Sequence, residues 1–205
     1  LVEALIEAAG FITFPMIEFE ADDALASAAR IAKEDPSVNR VLICSPDKDL
    51  AQCVTDDGRV VQFDRRQELI YDSSAVKEKF GVSPASIPDF LALVGDSADG
   101  IPGLPGWGAK SSSLLLARYE KIEKIPLDPN KWDVSVRGAT KLAETLSQNF
   151  KEAQLYKDLT VLRDNVPVMA KVSELEWFAP KKHFIELCNR LDASKLAERL
   201  KKLSR

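Results

Sequence analysis

Seven carboxylates stand in three short clusters, each at the end of an apolar segment: Glu20-Ala-Asp22-Asp23, Asp47-Lys-Asp49 and Asp96-Ser-Ala-Asp99. Gathered by a fold, they would repel one another, and buried ionised groups need compensation. Divalent cations are the natural compensation. An all-oxygen, histidine-free ligand set suits hard ions such as Mg²⁺ or Mn²⁺. Two such ions about 4 Å apart are a device for cleaving phosphodiesters. Taken singly, each cluster has a plainer role. Glu20, Asp22 and Asp23 sit where acids cap a helix and meet its dipole. Asp96 and Asp99 suit a solvated, Asx-rich loop. Asp47 and Asp49 follow a buried strand at its carboxyl end, the edge where parallel sheets bind ligands.

The elements that must position these acids are legible in outline. Leu1, Leu5, Ile6 and Ala9 read as a helix already under way, so a domain cut from a longer chain is expected. Phe11–Phe14 reads as a strand. Apolar residues at 21, 24, 25, 28, 31 and 32 have helical spacing, and Asp35-Pro36 ends that helix. Arg40–Cys44 is a buried-type strand, and strand–helix–strand order implies a parallel α/β sheet. A short helix or turn is expected from Asp47 to Val54. Asp57-Gly58 reads as a turn, Val60–Phe63 as a strand and Glu68–Tyr71 as a short edge strand. Ser73 is expected to cap a helix ending at Gly81, and another helix runs to Val94. Loops after successive parallel strands converge on one edge, so two acidic clusters would meet there and the third could cap them.

Beyond Val94 the texture changes. Gly95 to Gly108 holds five of the nine glycines, and a domain seam is expected near Gly100. This divides the chain into an α/β part at 1–100 and a helical part at 101–205. The helical stretches expected there are Ser111–Tyr119, Val136–Leu146, Phe150–Leu162, Lys181–Leu191 and Ser194–Leu203. The run Gly106-Trp107-Gly108-Ala109-Lys110-Ser111-Ser112 precedes the first of them. Free N–H groups at a helix start bind phosphate without reading bases, and Lys110 adds a point charge. A P-loop would need Gly-Lys adjacent, and here Ala109 intervenes. A plain Gly-rich turn is the simpler alternative.

Charge divides the chain as texture does. Residues 1–103 carry a net −10 and residues 104–205 a net +6. Either two solvated surfaces differ in sign, or an acidic metal-binding half adjoins a basic half that grips a polyanion. Cys44, Cys53 and Cys188 form no CxxC pair and read as buried, reduced thiols. His183 is the only histidine, remote from the acids in sequence. It argues against a histidine-dependent triad and most zinc sites. No apolar run approaches the roughly 20 residues needed to span a membrane.

Read together, EFEADDALAS (18–27), SPDKDLAQCV (45–54) and LVGDSADGIPGLPGWGAKSS (93–112) resemble the bacterial 5′-nuclease family, as do VRGATKLAETL (136–146) and LYKDLTVLRDNVPV (155–168). That family contains 5′–3′ exonucleases, flap endonucleases and the N-terminal 5′-nuclease domain of DNA polymerase I. The resemblance implies a PIN-like α/β domain followed by a helical domain with a helix–three-turn–helix motif. It implies that Glu20, Asp22 and Asp23 hold one metal ion. Asp47, Asp49, Asp96 and Asp99 then complete a pair of Mg²⁺ or Mn²⁺ ions and form the catalytic set.

The resemblance further implies a K⁺ ion on the backbone carbonyls of the Gly106–Trp107–Gly108 loop, and phosphate contacts from Lys110, Ser111 and Ser112. The implied partner is DNA with a 5′ flap or 5′ end, bound largely without regard to sequence by a cytoplasmic bacterial monomer acting in replication and repair. Two departures qualify this. Ala98-Asp99-Gly100 stands where the family commonly has Ser-Asp-Asn. A first strand with a further metal-binding Asp, and a helical arch, are expected in the family but do not precede Leu1. A catalytically incomplete, duplex-binding piece of such a nuclease is therefore the alternative expectation. A PIN-type ribonuclease would share the carboxylates but lack the Gly106–Ser112 module.

Overall fold

In the computed structural model, which describes residues 1–203, the chain begins with helix α1 (Val2–Ala8). Residues 11–20 then run as irregular chain into α2 (Ala21–Glu34). A reciprocal capping box starts α2: the Glu20 N–H donates to Asp23 Oδ2 at 3.3 Å. The buried face of α2 is Ala24, Ala26, Ser27, Ala29 and Ala32. These small side chains let the helix lie close on strand β1 (Val41–Ile43) and on the 3-10 turn Asp49–Cys53 that follows it.

Strand β2 (Val60–Asp64) pairs parallel to β1, with Leu42 opposite Val61. Strand β3 (Leu69–Tyr71) pairs antiparallel to β2, giving the order β1-β2-β3. The parallel α/β expectation holds for β1 and β2. The strand–helix–strand unit expected from Phe11–Phe14, α2 and Arg40–Cys44 is not the pair observed, and β1 and β2 are joined through the 3-10 turn and the expected Asp57-Gly58 turn. Phe11–Phe14 forms no strand. Phe11 and Ile12 are about half exposed, and Phe11 instead stacks on Trp177 with ring centroids 5.6 Å apart. A β-rich run without a neighbour to take its N–H and C=O groups stays irregular.

Helix α3 (Ser73–Phe80) is capped by Asp72, which accepts from the Ala75 N–H at 2.9 Å, one residue before the expected Ser73. It ends at Gly81 in the left-handed region, φ +75°. Helix α4 (Ile87–Val94) is apolar almost all round and lies in the middle of the molecule. After the glycine-rich loop come α5 (Ala109–Tyr119), α6 (Ala139–Gln148) and α7 (Phe150–Thr160). Last are α8 (Phe184–Arg190) and α9 (Ser194–Leu203). The expected helical stretches after Ser111 are all present with ends shifted by a few residues.

One core joins most of this. Ala51, Val76, Leu91 and Leu93 share it with Leu104, Trp107, Leu115, Leu146 and Ala153, so it passes beneath the glycine-rich loop. A second, smaller core packs α1 on α8 and α9 through Ala8, Ala9, Phe184, Cys188 and Leu200. Cys188 is buried as expected, whereas Cys44 is exposed. The Cys53 thiol is pushed up to about 12, first by burial and then by the charges of Asp22 and Asp164, so it stays protonated. No described helix is long and apolar enough to cross a membrane.

Candidate metal centre

Strand β1 ends at Ile43, and the turn that leaves it carries Asp47 and Asp49. Two buried or half-buried amides hold this turn. Gln62, 3% exposed on β2, donates to Ser45 O at 2.9 Å and to Asp47 O at 2.5 Å. Gln52 donates to Asp49 O at 2.8 Å and to Thr160 O at 2.9 Å, and its Oε1 accepts from Leu162 N at 3.1 Å. The backbone beneath both aspartates is thus fixed from the sheet and from the end of α7. Sequence reasoning missed both glutamines. A signal existed for Gln62: an amide set among Val60, Val61 and Phe63 in a buried strand needs partners inside.

The loop after α4 brings in the third cluster. Asp96 and Ile101 pair through both backbone bonds, Asp96 N to Ile101 O at 2.9 Å and Ile101 N to Asp96 O at 2.8 Å. Gly103 permits this tight return. It sits at φ +70°, and a Cβ there would lie 2.5 Å from the carbonyl carbon of Val94. The bridge leaves Asp99 on the exposed tip. Asp47, Asp49 and Asp99 converge, each offering a carboxylate oxygen within 4.8 Å of the others. Asp22, in the first turn of α2, faces the same group and feels the charges of Asp47, Glu20, Asp99 and Asp23.

Two of the seven acids are engaged elsewhere. Asp23 caps α2 with Oδ2 and accepts the Arg163 N–H on Oδ1 at 2.8 Å. Asp96, 3% exposed, accepts Ala98 N on Oδ1 at 3.1 Å and Lys48 Nζ on Oδ2 at 2.6 Å. Glu20 stands exposed at the start of α2. Of the seven expected ligands, Asp23 and Asp96 are thus hydrogen-bonded within the protein, and Glu20 stands apart from the converging group. The carboxylates that come together are Asp47, Asp49 and Asp99, with Asp22 electrostatically coupled to them.

The electrostatics fit a cation. Asp49 is pushed up to about 7, first by burial and then by the charges of Asp99, Asp47, Asp96 and Asp22. Asp22 is pushed up to about 6, again by burial first, then by Asp47 and Glu20. Asp99 is raised by burial, Asp96 and Asp47. Asp49 Oδ1 is buried with no hydrogen-bond partner. A hard cation would satisfy that oxygen and remove the repulsion together, and the all-carboxylate donors suit Mg²⁺ or Mn²⁺.

A pH dependence follows. The folded carboxyls titrate near 7 and 6 against an ordinary 3.8, so the ion-free folded state holds more protons than the unfolded chain. Its stability is expected to fall as pH rises from about 4 to about 7. Melting curves in chelator should show this loss. Excess Mg²⁺ should remove it, with protons released on binding.

The second module lies at the start of α5. Gly106 is in the left-handed region at φ +82°, and Gly108 is extended. The Ser111 hydroxyl closes the turn, donating to Gly108 O at 3.0 Å and accepting from Gly108 N at 3.2 Å. Lys110 is exposed and forms no ion pair among the described residues. Two expected contacts face inward instead. Trp107 is 4% exposed and its indole N–H donates to Leu142 O at 3.2 Å. Ser112 is fully buried and its Oγ has no partner. Packing on the bundle claims both, which leaves the exposed Lys110 and the part-exposed Ser111 at this helix start.

Fold and site together define an α/β protein whose acidic sheet edge suits divalent cations, joined to a helical part entered through a glycine-rich turn at the start of α5. The family described as "5'-3' exonuclease, N-terminal resolvase-like domain" matches residues 1–81, and "5'-3' exonuclease, C-terminal SAM fold" matches residues 82–183. The chain belongs to the 5′-3′ exonuclease family.

It is 32% identical over 187 residues to the 5′-3′ exonuclease of Aquifex aeolicus, covering 91% of this chain and 63% of that protein. It is also 32% identical over 178 residues to DNA polymerase I of Bacillus subtilis, covering 86% of this chain and 19% of that one. The chain thus spans less than two thirds of these relatives. Two solved structures share the fold. The T5 5′-exonuclease with bound divalent metal ions (zinc) has a TM-score of 0.62 at 20% identity, covering 90% of this chain and 63% of that one. The catalytic core of Rad2 in complex with DNA substrate has 0.58 at 17%, covering 97% and 67%.

Proposed function

We propose that this chain forms the metal-binding and duplex-gripping part of a divalent-metal-dependent 5′–3′ exonuclease and flap endonuclease that hydrolyses DNA phosphodiesters. The observation that carries this is the meeting of Asp47, Asp49 and Asp99 within 4.8 Å around a buried Asp49 oxygen that lacks a partner. In this reading Asp47, Asp49 and Asp99 hold one ion, and Asp22 with Glu20 supports a second. Mg²⁺ or Mn²⁺ bound there supplies Lewis acidity, lowering the pKa of a water and offsetting charge on the phosphate and the departing 3′ oxygen. The protein's own share is placement. Gln62 and Gln52 fix the two aspartates, the Asp96–Ile101 bridge presents Asp99, and the α5 start with Lys110 holds backbone phosphate some way along the duplex. The carbonyls of Gly106–Gly108 are the place for K⁺, and a monomer suffices for the whole arrangement.

The test is cleavage of a 5′-flap duplex in Mg²⁺ against the same reaction in chelator. No metal-dependent cleavage would leave the second reading, a fragment that holds duplex DNA without cutting it. That reading is favoured by the internal bonds of Asp23 and Asp96, which shrink the converging carboxylate set. Gel shifts run beside the cleavage assay separate the two. In either reading Lys110→Ala should weaken duplex binding alike for all sequences. It should also reduce the slope of log K against log salt by about 1. An unchanged slope would remove Lys110 from the interface.

A further inference from the structure

Lys48 stands between Asp47 and Asp49 in sequence, yet its ammonium goes to a third carboxylate, lying 2.6 Å from Asp96 Oδ2. The two partners are unequally free. The Asp96 side chain is 2% exposed and the Lys48 side chain 46%. Asp96 is also anchored by the Ala98 N–H on its other oxygen and by the two-way backbone bridge to Ile101. Asp96 is therefore a fixed acceptor, whereas Lys48 can leave by rotating a flexible stem into solvent. Among the described residues Lys48 is the cation in contact with the acidic cluster, and its charge also reaches Asp99.

Resting on the metal reading above, we propose that Lys48 is a built-in counter-cation. It holds Asp96 while the edge is free of metal, withholds that carboxylate from the Asp47–Asp49–Asp99 set, and so restrains how many divalent ions the edge accepts. A divalent ion that draws on Asp96 must displace Lys48. The pair is thus a positioning device: it keeps the 96–101 loop closed, and Asp99 presented, before any ion arrives. Removing one positive charge beside several carboxylates raises their affinity for a cation.

The experiment is a Mn²⁺ titration of the 205-residue chain, followed by the electron paramagnetic resonance signal of free Mn²⁺, with Lys48→Met and Lys48→Arg alongside. The wild type should show one tighter step and one weaker. In Lys48→Met the weaker step should tighten about tenfold or more. In Lys48→Arg, which keeps the charge, it should stay the same or weaken. A weaker step that is unchanged or looser in Lys48→Met, or tighter in Lys48→Arg, overturns the proposal while leaving the metal site standing. A wild type that takes up no Mn²⁺ overturns the metal reading and this proposal with it. Melting temperatures supply the second measurement. Lys48→Met should be less stable than wild type in chelator, because Asp96 is left buried and unpaired, and should gain more on adding Mn²⁺. A variant that stays unfolded in Mn²⁺ would also overturn the idea, since the ion is expected to replace the lost charge.

Discussion

Replacing Asp49 by asparagine is expected to reduce metal-dependent DNA cleavage by roughly 10³-fold or more while making the ion-free protein more stable. The opposite signs come from one geometry. Asp49 Oδ1 is buried without a partner, and the carboxyl is pushed up to about 7 by burial and by Asp99, Asp47, Asp96 and Asp22. Asparagine has nearly the same shape, so Gln52 still holds the backbone carbonyl beneath it. The amide carries no charge, so the repulsion relaxes. It is also a far weaker ligand for a hard divalent ion. Stability should rise most above pH 7, where the wild-type carboxyl is ionised, and the gain should shrink toward pH 4, where it is protonated. Melting curves in chelator across that range, beside cleavage rates in Mg²⁺, check both halves. A variant that lost activity and stability together would mean Asp49 is a structural residue and not a ligand.

The sequence conveyed which acids lie near one sheet edge better than it conveyed their hydrogen bonds. Asp47 and Asp49 were legible because a buried strand followed at once by two acids has few other uses, and the sheet rule places them at its carboxyl edge. Asp96 and Asp99 were legible only as a pair in a glycine-rich loop; that the loop turns back on an Asp96–Ile101 bridge and presents Asp99 came from the structure. Asp23 and Asp96 were legible as acids, but their internal bonds were not, because the partners are distant in the chain. Arg163 N lies 140 residues from Asp23, and Lys48 lies 48 residues from Asp96. Local spacing carries no trace of such bonds.

The same limit explains Trp107 and Ser112. A helix-start motif marks which backbone groups are free, but which side chains turn inward depends on α6, whose Leu142 carbonyl takes the indole N–H. Phe11–Phe14 failed as a strand for a related reason: β-propensity describes a residue's fit to a neighbour, and no described strand lies beside it. Most helices were read well because their apolar spacing is local.

The largest loss of stability is expected from Lys157→Met, at about 3–5 kcal/mol, equivalent to a fall in melting temperature of roughly 10 °C. Lys157 on α7 reaches Asp89 on α4 at 2.8 Å, with side chains 16% and 2% exposed. It also reaches Glu123 at 2.8 Å. Asp89 in turn accepts the Ile122 N–H at 2.8 Å. One lysine therefore ties together α4, α7 and the turn after α5. Methionine fills the same space but leaves Asp89 buried with one backbone donor and no counter-charge. That penalty is far larger than for Arg118–Asp133, whose side chains are 55% and 47% exposed and whose charges water screens. The double variant Lys157→Met with Asp89→Asn should recover much of the loss, since the uncompensated charge rather than the missing bond dominates. The effect should also reach the metal edge. The last turn of α7 presents Thr160 O to Gln52, the amide that holds Asp49. Loosening α7 should therefore weaken Mn²⁺ binding in Lys157→Met even below its melting temperature, and the double variant should restore it. Unchanged Mn²⁺ affinity in a destabilised Lys157→Met would show that the Gln52 link transmits nothing from the helical part to the carboxylates.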